Sequence, residues 1–147
     1  KMIISIGCDH AGYKLRETII EWLTNSGLVE NIIDYGTDSA DSVDYPDYAH
    51  AVAASITDNE SQMGILICGS ANGISMSANK WSNIRAAVCW NNEVAKLARE
   101  HNDANVIGIP ARFVTPEEAI EMVRTFLNTD FEGGRHEKRV IKINVTI

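Results

Sequence analysis

Short apolar runs alternate with stretches of helical periodicity along the chain. Ile3-Ile4-Ser5-Ile6 predicts a first strand, and Lys1 to Gly7, too short for a signal peptide, reads that way. Apolar residues then recur at Leu15, Ile19, Ile20 and Leu23, one helical face, with Gly27 as its stop. Val29 to Tyr35 predicts a second strand, followed by a polar loop from Gly36 to Ser42. Pro46 opens a helix through Val52 and Ile56. Met63 to Cys68 is a continuous apolar run, the mark of a strand buried on both faces, and Arg85–Cys89 and Asn105–Ile109 are shorter versions of it. Helices are predicted over Glu93–Glu100 and Pro116–Leu127, the second opened by a capping box at Thr115-Pro116-Glu117-Glu118. A last helix is predicted from Arg135 toward Ile143, and no internal repeat or linker interrupts the pattern.

Strands alternating with helices predict an α/β fold: a five-stranded parallel sheet with helices on both faces, as one domain over 1–147. Right-handed crossovers put the C-terminal ends of all strands along one edge, and ligands bind outside that edge near the point where strand order reverses. Composition changes this picture little. With 45% hydrophobic and 22% charged residues the chain is ordinary globular material. It has no apolar run of the ~18 residues that a membrane span needs. A net charge of -7 argues against a nucleic-acid surface but is compatible with a pocket for a small anion. The three cysteines, Cys8, Cys68 and Cys89, are read as free thiols in a reducing compartment, so a cytoplasmic location is expected. None has CxxC or histidine spacing, so no metal site is predicted.

Four segments carry groups that suit chemistry. Cys68-Gly69-Ser70-Ala71-Asn72-Gly73 joins a buried strand to a helix, and its small residues let backbone N–H groups approach a ligand. The helix N-terminus there is expected to favour a thiolate at Cys68 and to stabilise an oxyanion, the two needs of proton abstraction beside a carbonyl. The plain alternative is a tight turn with an inert cysteine. Asp9 and His10 follow the first strand, either as a hydroxyl acceptor and a phosphate ligand or as a helix cap and a surface residue. Cys8 reads as a core filler. His101 and Asn102 lie in a polar cluster, Arg99 to Asn105, where an imidazole can move a proton near neutral pH or simply solvate a helix end. Gly133 to Arg139 is basic within an acidic protein, and Arg135 and Arg139, four apart, would share a helix face toward one phosphate or toward water.

Together these segments resemble the ribose-5-phosphate isomerase B family, which includes the galactose-6-phosphate isomerase subunits and allose-6-phosphate isomerase. The resemblance covers nearly the whole chain. It rests on Gly7-Cys8-Asp9-His10-Ala11-Gly12, Val43-Asp44-Tyr45-Pro46-Asp47, Gly64-Ile65-Leu66-Ile67-Cys68-Gly69, Ser77-Ala78-Asn79-Lys80, His101-Asn102-Asp103-Ala104-Asn105 and Gly133-Gly134-Arg135-His136. It implies a Rossmann-like αβα sandwich and a homodimer, sometimes a dimer of dimers, with each site built from both subunits and with neither metal nor organic cofactor. It implies that Cys68 abstracts the C2 proton of an aldose phosphate and that His101 assists ring opening. Asp9, Tyr45 and Asn102 would orient hydroxyls, and His10, Arg112, Arg135 and Arg139 would bind the phosphate. The N–H groups from Gly69 through Ala71 and Asn72 to Gly73, with the Ser70 hydroxyl, would stabilise the enediolate. Ser70 and Ala71 stand where the family commonly has Thr and Gly. If position 71 takes a positive φ, alanine there costs ~1 kcal/mol.

The expected reaction is ribose 5-phosphate to ribulose 5-phosphate. A six-carbon phosphate, allose or galactose 6-phosphate, is the near alternative, and a non-catalytic phosphosugar-binding subunit is the alternative of another class. A cysteine hydrolase lacks an accompanying acyl-binding motif, and a nucleotide site lacks GxGxxG after the first strand.

Overall fold

The computed structural model describes residues 2–146, so the expected domain ends, Lys1 and Ile147, lie outside the described residues. The predicted strands are present as β1 (Met2–Cys8), β2 (Val29–Asp34), β3 (Met63–Cys68), β4 (Ala86–Val88) and β5 (Val106–Pro110). They form one sheet in the order β2-β1-β3-β5-β4, every pairing parallel. The helices are α1 (Tyr13–Ser26), α2 (Tyr45–Thr57), α3 (Asn72–Ala78), α4 (Asn92–Asn102), α5 (Pro116–Asn128) and α6 (Glu137–Ile141).

Local chemistry sets the boundaries. Gly27 closes α1 in the left-handed region at φ 75°. The Asn91 side chain accepts the Val94 N–H at the start of α4, and the capping box between Thr115 and Glu118 opens α5. Apolar residues at successive positions of β3 explain the layering, because alternate side chains point to opposite faces. Ile65 and Ile67 pack with Leu15, Ile19, Met122 and Phe126 from α1 and α5. Leu66 and Cys68 pack with Val52, Ile56, Ile74 and Ala78 from α2 and α3. Helices therefore cover both faces, and the sequence order of strands reverses between β1 and β3.

The last helix differs from its prediction. A single 3-10 turn, Gly134–His136, precedes α6, which holds only Glu137–Ile141. Gly133 and Gly134 take φ of 69° and 54°, outside the right-handed region, so the segment opens as a tight 3-10 turn and regular α-helix begins only at Glu137. Among the described residues, α6 buries no side chain and thus lacks the packing that sustains a short helix.

Candidate active site

At the C-terminal edge of the sheet, in the crevice between β1 and β3, Cys68 ends its strand with only 5% of its surface exposed. The chain then turns through Gly69, Ser70 and Ala71 into α3. Ala71 sits at φ 64°, the left-handed conformation in which alanine is costly, and its methyl group is fully buried. Backbone N–H groups of Ile74, Ala71 and Ser70 face the Cys68 sulfur and favour its ionised form. The expectation of a favoured thiolate is nonetheless corrected: burial pushes the Cys68 thiol above the ordinary 9.0, the Ile74 N–H opposes this, and the nearby negative charge of Asp9 adds to the rise. The N–H groups at the start of α3 lower the thiol's pKa by less than burial raises it.

Several predicted binding residues stand around this sulfur. Asp9 is buried, its N–H donates to the Ile67 carbonyl at 3.2 Å, and its Oδ1 accepts the Ala11 N–H at 3.0 Å. It is therefore the helix cap that one reading foresaw, and it also acts on Cys68 through its charge. Nδ1 of His10 accepts the Val43 N–H at 3.3 Å, which places the proton of a neutral ring on Nε2. Tyr45, at the start of α2, lies against Gly73 so closely that a Cβ there would come within 2.5 Å of the phenol ring and 2.7 Å of its oxygen. Arg112 donates its backbone N–H to the Gly69 carbonyl at 3.1 Å and lays its side chain over that glycine. Ser70 Oγ accepts the Asn72 N–H at 3.3 Å and keeps its own hydrogen for a ligand.

The remaining predicted residues lie elsewhere. Residue pairing sets Val106 beside Gly64 and Pro110 beside Cys68, so α4, which leads into β5, ends at the N-terminal edge of the sheet. His101 and Asn102 close that helix, a strand length of ~13 Å from the Cys68 edge. His101 stacks on His136, ring centres 4.2 Å apart and planes at 13°. Glu132 Oε1 is 3.4 Å from Nε2 of His136 and 4.0 Å from Nε2 of His101. Arg135 and Arg139 follow in the same segment, but Arg135 belongs to the 3-10 turn and Arg139 to α6, so they do not share one helix face as expected. Asn102 lines a groove of ≈ 680 Å³ with Arg85, Ala86, Ile143 and Asn144.

Arginine pairing separates two groups. Arg16, Arg85, Arg99 and Arg124 each pair with a carboxylate. Among the described residues, Arg112, Arg135 and Arg139 have no carboxylate within 4.0 Å, and these are the three assigned to a phosphate. Sequence reasoning missed Glu132 and His136. Their spacing of four residues was visible, but the 3-10 turn that brings them to His101 was not.

Residues 4–143 match the model of the Ribose/Galactose Isomerase family. The chain is 46% identical over 141 residues to a Mycoplasma pneumoniae protein named probable ribose-5-phosphate isomerase B, covering 95% of this chain and 91% of that one. It is 44% identical over 137 residues to ribose-5-phosphate isomerase B of Escherichia coli, covering 93% and 91%. The structure of a ribose 5-phosphate isomerase from Thermotoga maritima superposes with a TM-score of 0.93 at 46% identity, covering 97% of both chains. Ribose-5-phosphate isomerase B of Mycoplasma genitalium, solved with bound ribulose-5-phosphate, superposes at 0.91 with 42% identity, covering 96% and 93%. Sequence and fold agree over almost the full length of the chain, which belongs to the ribose/galactose isomerase family.

Proposed function

We propose that this chain interconverts ribose 5-phosphate and ribulose 5-phosphate, as one domain that pairs with a second copy to complete each site. The observation that carries the reading is the division of the predicted residues: thiol, anion-binding loop and one free arginine at one sheet edge, imidazole and two free arginines at the other. Two protomers that set opposite edges together bring both halves around one sugar. The relatives named for ribose-5-phosphate isomerase B, and the one solved with ribulose-5-phosphate, support the five-carbon substrate.

The reaction starts on the ring form. His101 of one protomer takes the proton of the anomeric hydroxyl and delivers it to the ring oxygen as the C1–O bond to the ring breaks, and the C1 aldehyde opens beside Cys68 of the other protomer. The Cys68 thiolate removes the C2 proton. The electron pair left behind forms the C1–C2 double bond, and O1 becomes an oxyanion held by N–H groups from Gly69 to Gly73 and by the Ser70 hydroxyl. The O2 proton passes to O1, and the thiol returns its proton to C1, leaving the C2 ketone. Asp9, Tyr45 and Asn102 orient hydroxyls, and His10, Arg112, Arg135 and Arg139 hold the phosphate. The raised thiol suits proton abstraction from carbon, because burial makes the sulfur a stronger base once ionised.

Turnover of ribose 5-phosphate and allose 6-phosphate measured side by side tests the substrate. One added carbon is a misfit of ~1–3 kcal/mol, so the pentose phosphate is expected to lead in kcat/KM by roughly tenfold or more. The reverse order would overturn the assignment. Cys68→Ala is expected to lose ~10²–10⁴-fold in kcat while still binding substrate. Unchanged turnover in that variant rejects Cys68 as the base, whereas substrate binding without turnover in the unmodified protein marks a merely binding subunit.

A further inference from the structure

Cysteine and histidine spacing predicts no metal site in the sequence, yet folding assembles a ligand set at the N-terminal edge of the sheet. One ligand atom each from His101, Glu132 and His136 lies within 4.8 Å of the others. The two imidazoles stack nearly parallel, and both present Nε2 to the same carboxylate oxygen. Two nitrogens and one carboxylate oxygen, without thiolate, form a donor set suited to zinc and its neighbours, with a fourth position open to water. We propose that His101, Glu132 and His136 bind a divalent transition metal of the zinc class, and that the ion inhibits turnover by occupying Nε2 of His101.

One rearrangement completes the geometry: an ion lies in the plane of each imidazole it binds, so His101 must turn out of its stack on His136, where the planes are now 13° apart, before both rings meet one ion. Bonds of 2.0–2.1 Å around a tetrahedral ion set ligand atoms ~3.4 Å apart, against 3.4 and 4.0 Å for the two imidazole–carboxylate separations here. The anchoring ligand is fixed, since the His136 side chain is only 9% exposed. The side chains that must close in are the more exposed ones, His101 at 38% and Glu132 at 50%. Their backbones are already tied, because the Glu132 N–H donates to the Glu100 carbonyl at 3.1 Å. Orientation of His101 does not account for Glu132 alone, because its carboxylate lies nearer to His136, a residue with no part in the proton transfers. The cysteines do not compete for the ion: all three are buried and deprotonate reluctantly.

The inhibitory half rests on the ring-opening role proposed for His101, and the binding half does not. The test titrates the full-length protein with Co²⁺, displaces it with Zn²⁺, and follows turnover in the same samples. The expected result is one ion per chain, the visible bands of four-coordinate cobalt without a thiolate charge-transfer band, and loss of activity at the same midpoint, restored by a chelator. Glu132→Gln and His136→Asn should each weaken Zn²⁺ binding by tenfold or more. Glu132 is half exposed, so its variant reports on coordination even if replacing His136 harms folding. Absence of saturable binding, a thiolate band, or unchanged affinity in Glu132→Gln overturns the site. An ion that binds as described but leaves turnover intact overturns the inhibition together with the role of His101, while the site itself stands.

Discussion

Cys68 and His101 lie at opposite edges of one parallel sheet, the first at the C-terminal end of β3 and the second at the end of the helix that feeds β5. The topology enforces this. In a right-handed βαβ unit every crossover helix returns the chain to the N-terminal edge, so a residue closing such a helix cannot meet one closing a strand of the same chain. If one proton-transfer site needs both, it needs two chains. Arginines at both edges that have no carboxylate partner among the described residues fit the same requirement, since a phosphate that spans the junction would neutralise guanidinium groups from each side.

The buried thiol has a measurable consequence. A pKa above 9.0 leaves Cys68 almost wholly protonated at neutral pH, and only the thiolate alkylates. Iodoacetamide should therefore modify Cys68 of the substrate-free protein more slowly than free cysteine at pH 7, with a rate still climbing past pH 9. Rapid labelling at pH 7 that levels off below pH 8 would mean that the α3 N-terminus wins over burial after all.

Stability should respond to the other two thiols. Burial pushes Cys8 up to about 11 and Cys89 up to about 12, while both ionise near 9.0 once unfolded. Between those values the folded state holds more protons than the unfolded state, so stability is complete below pH 9 and is lost as pH rises. Each thiol costs ~1.4 kcal/mol per pH unit in that window. Urea midpoints measured from pH 8 to 10.5 should fall, and fall less steeply in Cys89→Ala. Equal slopes in the two proteins would remove Cys89 as a cause.

Much of the fold was legible in the residues. Apolar side chains at successive positions from Met63 to Cys68 marked a strand covered on both faces, and the capping box at Thr115 marked the start of its helix to the residue. The overlong last helix came from reading polar residues between Arg135 and Ile143 as helical, when nothing in Glu137–Ile141 is buried to hold a helix together. Ala71 was recognised as the strained position because the family pattern flagged it, and φ 64° bears that out. The thiolate expectation failed because depth of burial is invisible in sequence. The distance from Cys68 to His101 was equally hidden: the motifs name residues of one site without saying which chain supplies them.

His101→Asn should slow the two directions unequally. Ribulose 5-phosphate carries its phosphate on the only oxygen able to close a five-membered ring, so it stays open and needs no ring opening. The variant should lose more rate, by ~10-fold or more, when ribose 5-phosphate is the substrate than when ribulose 5-phosphate is, with initial formation of open aldehyde read by trapping. Equal losses in both directions would assign His101 to the enolisation step instead.

Gly73→Ala probes the contact with Tyr45. The new methyl would overlap the phenol by any measure of contact, and the ring, 40% exposed, can swing away without unfolding the protein. Displacing one substrate hydrogen bond costs ~0.5–1.5 kcal/mol, so KM should rise a few-fold to tenfold with Tm nearly unchanged. A large drop in Tm with KM unchanged would make the contact structural.

Mixing two impaired variants, assayed with ribose 5-phosphate, is the sharpest probe of the proposed shared site. Cys68→Ala and His101→Asn are unfolded together and refolded, or coexpressed with different tags. In a symmetric dimer with shared sites, half of the molecules are mixed and each carries one intact site, so about a quarter of wild-type activity should return. No recovery from a preparation shown to contain mixed dimers would place both residues in the site of a single chain, and a site shared between two chains would be ruled out.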